Sequence, residues 1–567
     1  MADNRTIYQK LSDERKELQR RGEAPEWFTT GGWQLFKEKY LHEAAGIRDT
    51  FQRIARVLSK HMVDSEAEWE TKFFDLLWSG HLAGATPIVS NTGTNKGLPV
   101  SCSGQYVGDS VESFYDNRKE TALLTKHGFG TSAYMGDIRH RGEPISSGGT
   151  ASGVVPVFNG FVQDMRDVAQ GTSRRGAWAG YIEITHGDFF ELADKLQHEG
   201  DDLNIGWIIT DKFIDRLDRG DVDAIERYQR ALKVKMLTGK GYFYFVDKIN
   251  RANPQSYKVH DLTCKASNLC TEIMLHSDED ETYTCVLSSM NLSKYREWKG
   301  TDAVFNSIVF LDCVASEFIK LAENISGLEK AVKGTKRGRP LGLGALGYHT
   351  LLQQESIPFE SFEAHMLNLE IFEYIKKEAT RATEFLAAEL GEPKYCKGLN
   401  RRNTHLLAVA PNTSSALLCG GVSQGIEPIV ANVYNQPSAA GEIYRVNPVF
   451  LELAKKRVGW SKELVQSIIN NNGSVQHLDW LTEHEKLVFK TAYEIDQLAI
   501  IRTAGARQQH ICQGQSLNTF FDADEDEEVI SKVMETAFKN ENIKALYYTR
   551  SKAGVSASKG ECLACEG

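Results

Sequence analysis

The chain has no run of eighteen apolar residues, so no membrane-spanning helix is expected. The stretch from Met1 to Arg21 is charged rather than apolar, so no secretory leader is expected. No repeat of fixed period is present, which sets aside solenoids and propellers. Basic residues are not in excess. Lys and Arg number 66 against 76 Asp and Glu, a net charge of −10. That is the wrong sign for a general nucleic-acid binder, although a nucleotide needs only a local group of donors. The glycine-rich turn from Asn91 to Gly97 contains Asn95-Lys96-Gly97 but lacks the Gly-Lys-Ser/Thr spacing of a phosphate loop entering a helix. The ten cysteines are scattered and mostly flanked by apolar residues. With no leader expected, they read as reduced thiols of a cytoplasmic protein.

What is present is ordinary globular composition, 41% hydrophobic and 25% charged. Residues 1–75 are helical in pattern: Lys10 to Arg21, Trp33 to His61, and Trp69 to Gly80 with Phe73, Phe74, Leu76 and Leu77 as an apolar stripe. Further on, Ile182 to Ile184, Asn204 to Thr210 and Tyr242 to Val246 read as short buried strands. Asp188 to Gln197 and Lys212 to Leu237 read as the helices between them. Strands alternating with helices predict an α/β fold. Residues 447–502 read mainly as helix. The acidic run Asp522 to Glu528 reads as the solvated start of a helix over Val529 to Phe538.

The chain is organised around Ser267-Asn268-Leu269-Cys270-Thr271-Glu272-Ile273. In an extended segment side chains alternate, so Asn268, Cys270 and Glu272 would share one face. A carboxamide, a thiol and a carboxylate aimed at one spot form a catalytic constellation. A strand with one buried cysteine and two solvated neighbours would show the same pattern. Cys102, after Pro99-Val100-Ser101, reads by itself as a buried structural thiol, and Cys285 stands in Thr284-Cys285-Val286-Leu287-Ser288-Ser289-Met290-Asn291-Leu292. Ala410-Pro411-Asn412-Thr413-Ser414-Ser415 predicts a capped helix start, whose free amides and hydroxyls suit a phosphate. Tyr547 and Tyr548 are adjacent in a predicted strand. The chain closes on Cys562-Leu563-Ala564-Cys565 after a polar, small-residue stretch from Ser551, expected to be flexible. No second cluster completes a zinc site around that pair.

Taken in order, these motifs resemble the large subunit of class I ribonucleotide reductase, over about residues 75 to 567. The resemblance implies a ten-stranded α/β barrel of two half-sheets over residues 76–550, with an internal finger loop, a helical segment 1–75 before it and a redox tail over 551–567. It implies that Cys270 becomes a thiyl radical, that Glu272 is the base on the 3′-hydroxyl and that Asn268 bonds the substrate. It makes Cys102 and Cys285 the reducing pair, and Cys562 and Cys565 the shuttle that re-reduces them with thioredoxin or glutaredoxin. Thr86, Ser101, Gly128, Asn268, Pro411, Asn412, Thr413, Ser414 and Ser415 would line the substrate. The usual glutamate near Asn412 is missing, which leaves diphosphate and triphosphate substrates both open.

Asp109, Ser110, Arg139 and Arg174 would hold an ATP or deoxynucleoside triphosphate effector, with Arg174 or Arg175 reading the base. Tyr548 then Tyr547 would pass a radical to Cys270. That radical would come from a small subunit with a dimetal or tyrosyl centre, since the large chain of the resembled family carries no iron site. The only metal allowed for is Mg2+ carried with the effector. A homodimer is implied. The segment before Thr86 is too short for the nucleotide-binding cone many relatives carry, so none is expected. The alternatives are an adenosylcobalamin-dependent reductase, against which the tyrosine pair speaks, and a non-catalytic nucleotide-binding regulator.

Overall fold

The computed structural model describes residues 7–43, 46–168, 176–200, 202–438 and 441–551. The chain opens with helices Ile7–Arg20, Thr30–Leu35, Ile47–Ser59 and Glu66–Trp78. The single helix expected from Trp33 to His61 is broken. After a π turn at Phe36–Tyr40 the backbone goes extended at Leu41, Glu43 takes a positive φ, and a new helix starts behind Gly46. The break lets Trp33, Phe36 and Tyr40 bury on one side while Phe51, Ile54 and Leu58 bury on another.

Eight strands in chain order build most of the barrel: β1 (Leu82–Gly84), β2 (Cys102–Tyr106), β3 (Gly130–Tyr134), β4 (Trp178–Glu183), β5 (Ile205–Ile209), β6 (Tyr242–Phe245), β7 (Tyr283–Asn291) and β8 (Leu341–Leu346). A hairpin of β9 (Val433–Ser438) and β10 (Gly441–Val446) follows, then β11 (Thr519–Phe521), β12 (Ala545–Leu546) and β13 (Thr549–Ser551). Strands β2 to β6 run parallel in sequence order, each pair joined across at least one helix. The crossover between β5 and β6 was expected as one helix over Lys212 to Leu237. It is two helices, because Gly220 adopts φ 75° and Asp221 then caps a fresh start by accepting from the Ala224 amide.

Strand β7 joins the two halves. Its Tyr283–Cys285 end pairs antiparallel with β2, Ser288–Met290 pair with β1, and Val286–Asn291 pair in parallel with β8. All nine of its residues are buried, as expected for a strand covered on both faces. The continuous ladder holds nine strands, β12 closing its far edge against β6. Single parallel bridges at Leu343 with Leu407 and Val409 with Gln515 carry it further.

Residues 265–275 run inside this curled sheet. Tyr181 on β4 donates to the Asn268 carbonyl at 2.7 Å, and Tyr244 on β6 donates to the Ala266 carbonyl at 3.3 Å. Gly514 N donates to the Glu272 carbonyl at 2.9 Å. Inward-facing phenols thus satisfy the carbonyls of an irregular segment that water does not reach. Among the described residues no helix is long and apolar enough to cross a membrane.

Candidate active site

Asn268, Cys270 and Glu272 meet, but not by strand alternation as expected. The segment turns: the Thr271 amide bonds back to the Asn268 carbonyl, and Thr271 sits at φ 68°. Asn268 Oδ1 accepts from the Ile273 amide at 3.2 Å and Ser267 Oγ donates to the Ile273 carbonyl at 2.7 Å, which closes the loop. A β-branched residue at positive φ is strained, and such strain survives only where the surroundings dictate it. Leu269, Thr271 and Ile273 are buried, and so are Asn268, Cys270 and Glu272, so neither polar neighbour of the cysteine is solvated.

Cys102 and Cys285 are 183 positions apart (285 − 102) yet are direct partners across the β2–β7 ladder. Neither is in a disulfide in this structure. Asn268 Nδ2 donates to Cys102 Sγ at 3.5 Å, and Gln513 Nε2 donates to Cys285 Sγ at 3.5 Å. Burial pushes the Cys285 thiol well above its ordinary range, so it stays protonated at neutral pH and holds a hydrogen to give. Cys270 is 8% exposed, and the Tyr547 hydroxyl reaches its sulfur at 3.6 Å. Glu272 is buried beside them. Burial pushes its carboxyl up to about 7, although Asn268 and Ser516 bond to it, Ser516 Oγ at 3.1 Å.

The two tyrosines lie between β12 and β13 rather than within a strand. Their rings are therefore not thrown to opposite faces: the centroids are 4.2 Å apart at 58°. Tyr242 on β6 packs against both, at 4.7 and 5.4 Å.

The loop at Pro411 to Ser415 lies on the same side of β7 as the thiol pair. Cys285 and Ser289 share a face at i and i+4, about 13 Å apart at strand rise, and Ser289 Oγ donates to Asn412 Oδ1 at 2.9 Å. The expected cap is different in kind. Asn412 takes φ 65° and makes no side-chain cap; its amide instead donates to the Ala410 and Ala345 carbonyls, which tie the loop to β8. The helix behind it, Thr413–Leu418, has Ser414 and Ser415 buried in its first turn. Ser101 is buried with its hydroxyl unpaired among the described residues. Thr86 opens helix Thr86–Asn91 and bonds Tyr40 at 2.9 Å. Gly128, at φ 111°, enters β3.

Asp109 and Arg139 stand just past the C-terminal ends of β2 and β3, where α/β sheets bind ligands. Arg139 Nε donates to Asp109 Oδ2 at 2.5 Å, and Ser110 caps helix Val111–Lys126 by accepting from Ser113. Arg174, Arg175, Cys562 and Cys565 lie outside the described residues. Among the described residues no group of three His, Cys, Asp or Glu side chains could hold a metal.

Sequence reading missed Gln513 and Ser516, which touch Cys285 and Glu272, and gave no role to Glu427 or Asn518. A signal was present. Gln513-Gly514-Gln515-Ser516 is a polar run between apolar Ile511 and Leu517, and all but the glycine are polar side chains that end up buried. Cys264, Cys313, Cys396 and Cys419 are buried thiols in packing, and half-buried Cys512 accepts from the Leu406 and Leu407 amides.

The model of the ribonucleotide reductase barrel domain matches residues 100–225, 217–400 and 396–549, and that of the reductase all-alpha domain matches 26–97. A chain of frog virus 3 (isolate Goorha), provisionally named a ribonucleoside-diphosphate reductase large subunit, is 37% identical over 544 residues, 90% of this chain and 94% of that one. The large subunit of invertebrate iridescent virus 3 is 28% identical over 632 residues, 95% and 98% of the two chains. Among solved structures, the Actinobacillus ureae class Id ribonucleotide reductase alpha subunit superposes with a TM-score of 0.86 at 35% identity, covering 94% of this chain and 99% of that one. The chain belongs to the ribonucleotide reductase large-subunit family.

Proposed function

We propose that the chain is the catalytic large subunit of a class I ribonucleoside-diphosphate reductase. The observation that carries this is the Tyr547 hydroxyl at 3.6 Å from Cys270 Sγ, with the Cys102–Cys285 pair beside the same loop. The relatives are named diphosphate reductases, which favours a diphosphate over a triphosphate substrate. A partner small subunit supplies the oxidising equivalent through Tyr548 to Tyr547. The Tyr547 phenoxyl then takes the hydrogen of Cys270, leaving a phenol and a thiyl. Cys270 removes the 3′ hydrogen of the ribose while Glu272, ionised, takes the 3′-hydroxyl proton. The 2′-hydroxyl leaves as water.

Two electrons and two protons come from Cys102 and Cys285, which become a disulfide. Cys270 then returns its hydrogen to C3′ and is a thiyl again. The closed interior keeps water from the radical. The diphosphate is assigned to the Pro411–Ser415 loop, with Thr86, Ser101 and Gly128 on the ribose and base side. A nucleoside triphosphate effector, with its Mg2+, is assigned to Asp109, Ser110, Arg139 and Arg174 of a homodimer. Cys562 and Cys565 are assigned the exchange that reopens the disulfide, with thioredoxin or glutaredoxin as the outer reductant.

Neither a cobalamin-dependent reductase nor a nucleotide-binding regulator gains support, since the structural relative is a class I alpha subunit. The test is ribonucleoside-diphosphate reduction with dithiothreitol by the chain alone, with adenosylcobalamin, and with its small subunit. Turnover only with the small subunit is the expected result. Turnover with adenosylcobalamin alone would overturn the class I reading.

A further inference from the structure

The radical path has a backbone to hold in place, and the chain does this with one short segment. Leu517-Asn518-Thr519 runs beside Tyr547 and Tyr548 and grips them three times. Tyr547 N donates to the Leu517 carbonyl at 2.8 Å, Tyr548 N to Asn518 Oδ1 at 2.9 Å, and Thr519 N to the Tyr548 carbonyl at 3.1 Å. The middle bond is the exception, because it is made by a side chain. A side-chain amide keeps its position only if its other end is held too.

That other end is held by Glu427. Asn518 Nδ2 donates to Glu427 Oε1 at 2.6 Å, the short bond expected of a charged acceptor. Glu427 lies in Gly425-Ile426-Glu427-Pro428, where Gly425 is at φ 48° and the turn is locked by the Glu427 amide bonding the Gln424 carbonyl. Glu427 forms part of the wall of a cleft that Thr413 and Arg550 also line. Arg550 offsets part of the cost of holding charge there, and its guanidinium lies 5.4 Å from the Tyr548 ring centroid. Glu427 is half-buried in that wall, where a partly desolvated carboxylate needs a hydrogen-bonding partner. Its hydrogen bond to Asn518 leads to Tyr548.

We infer that Glu427, acting through Asn518, is a positioning residue for Tyr548 in radical transfer. The inference rests on the radical-path reading proposed above. The chain of contacts is Glu427 carboxylate, Asn518 carboxamide, Tyr548 backbone, Tyr547 ring, Cys270 sulfur. A shift of Tyr548 changes its contact with Tyr547, which is 4.2 Å away between centroids. The diphosphate loop is not in this chain of contacts, so substrate affinity is expected to stay.

The test uses the complete holoenzyme, large and small subunits together, with Glu427→Gln, Glu427→Ala, Asn518→Ala and Tyr548→Phe. A glutamine keeps an oxygen that can accept from Asn518; an alanine does not. Glu427→Ala and Asn518→Ala are expected to lose kcat by about 10²-fold, the loss a misplacement of ~1 Å gives, with KM for the diphosphate and Tm nearly unchanged. Glu427→Gln is expected to restore kcat to within a few-fold of the parent. Full kcat in both alanine variants would overturn the inference, as would a Glu427→Gln variant as slow as Glu427→Ala, or a loss of kcat that tracks a fall in Tm. Tyr548→Phe separates the two levels. If it turns over normally, the radical-path reading itself has failed; if it is dead while the alanine variants are fully active, only the positioning role has failed.

Discussion

Cys102 on β2 and Cys285 on β7 stand directly opposite each other in an antiparallel ladder. Opposed residues in such a ladder have Cα atoms about 4.5–5.5 Å apart, inside the ~4.4–6.8 Å that a disulfide spans. The pair can therefore oxidise without moving the sheet. Mass spectrometry after one turnover without external reductant is expected to find this bond. Cys102→Ser or Cys285→Ser is expected to lower turnover by about 10³-fold or more, ~4 kcal/mol of barrier at 1.36 kcal/mol per decade. A disulfide at any pair other than this one or Cys562–Cys565, to which exchange would pass it, would contradict the assignment.

Tyr547→Phe keeps the ring and removes the oxygen that reaches Cys270. The expected loss of turnover is again about 10³-fold or more, while stability falls by only ~1 kcal/mol, the worth of one hydrogen bond. Thermal melting and nucleotide binding beside the activity assay check both halves.

Glu272 gives a pH prediction. Burial raises its carboxyl from 4.5 to about 7, and only the ionised form is a base. Diphosphate turnover is therefore expected to climb with pH through about 7. Stability runs the other way. The neutral carboxyl is accommodated in the fold, so its contribution is full below 4.5 and is lost as pH rises through 7. Glu272→Gln is expected to abolish turnover and flatten the melting temperature over that window. Glu427 is raised to about 7 as well, so the profile is read in parallel with Glu427→Gln.

Asp312 is fully buried and bonded by Arg339, Arg402 and Asn403. Burial works against its ionised form, but the two guanidiniums outweigh it and hold the carboxyl down at about 2. Asp312→Ala leaves those cations facing a hole and is expected to cost ~3–5 kcal/mol, measured by denaturant unfolding. Because the native value is depressed, this contribution is complete above 3.8 and disappears as pH falls through 2.

Gly342 on β8 has no room for a side chain. An added Cβ would lie 2.5 Å from Leu287 Cδ2 and 3.1 Å from Cys285 Sγ. Gly342→Ala is expected to slow turnover by displacing the thiol, with a smaller effect on nucleotide binding at the effector site proposed around Asp109 and Arg139, which sit beyond the ends of other strands. Equal loss of both would point to general unfolding.

Local chemistry was legible in the sequence because it depends on neighbours in the chain. The α/β alternation and the helices around 189–198 and 527–539 follow from residue type and spacing; Asn268, Cys270 and Glu272 stood out by residue type, although a turn rather than strand spacing brings them together. Breaks were less legible. The positive φ at Gly220 and the extended backbone at Leu41 end helices, which the apolar period running past them does not signal.

What only the tertiary structure decided was which distant residues meet. Cys102 meets Cys285, Tyr547 meets Cys270, and Gln513 and Ser516 meet the finger loop, because non-local strand pairing brings them together and spacing along the chain carries no record of that register. The turn at Thr271 is of the same kind. The strained backbone there is imposed by Tyr181, Tyr244 and Gly514 from outside the loop, so residues 267–273 alone read as a strand.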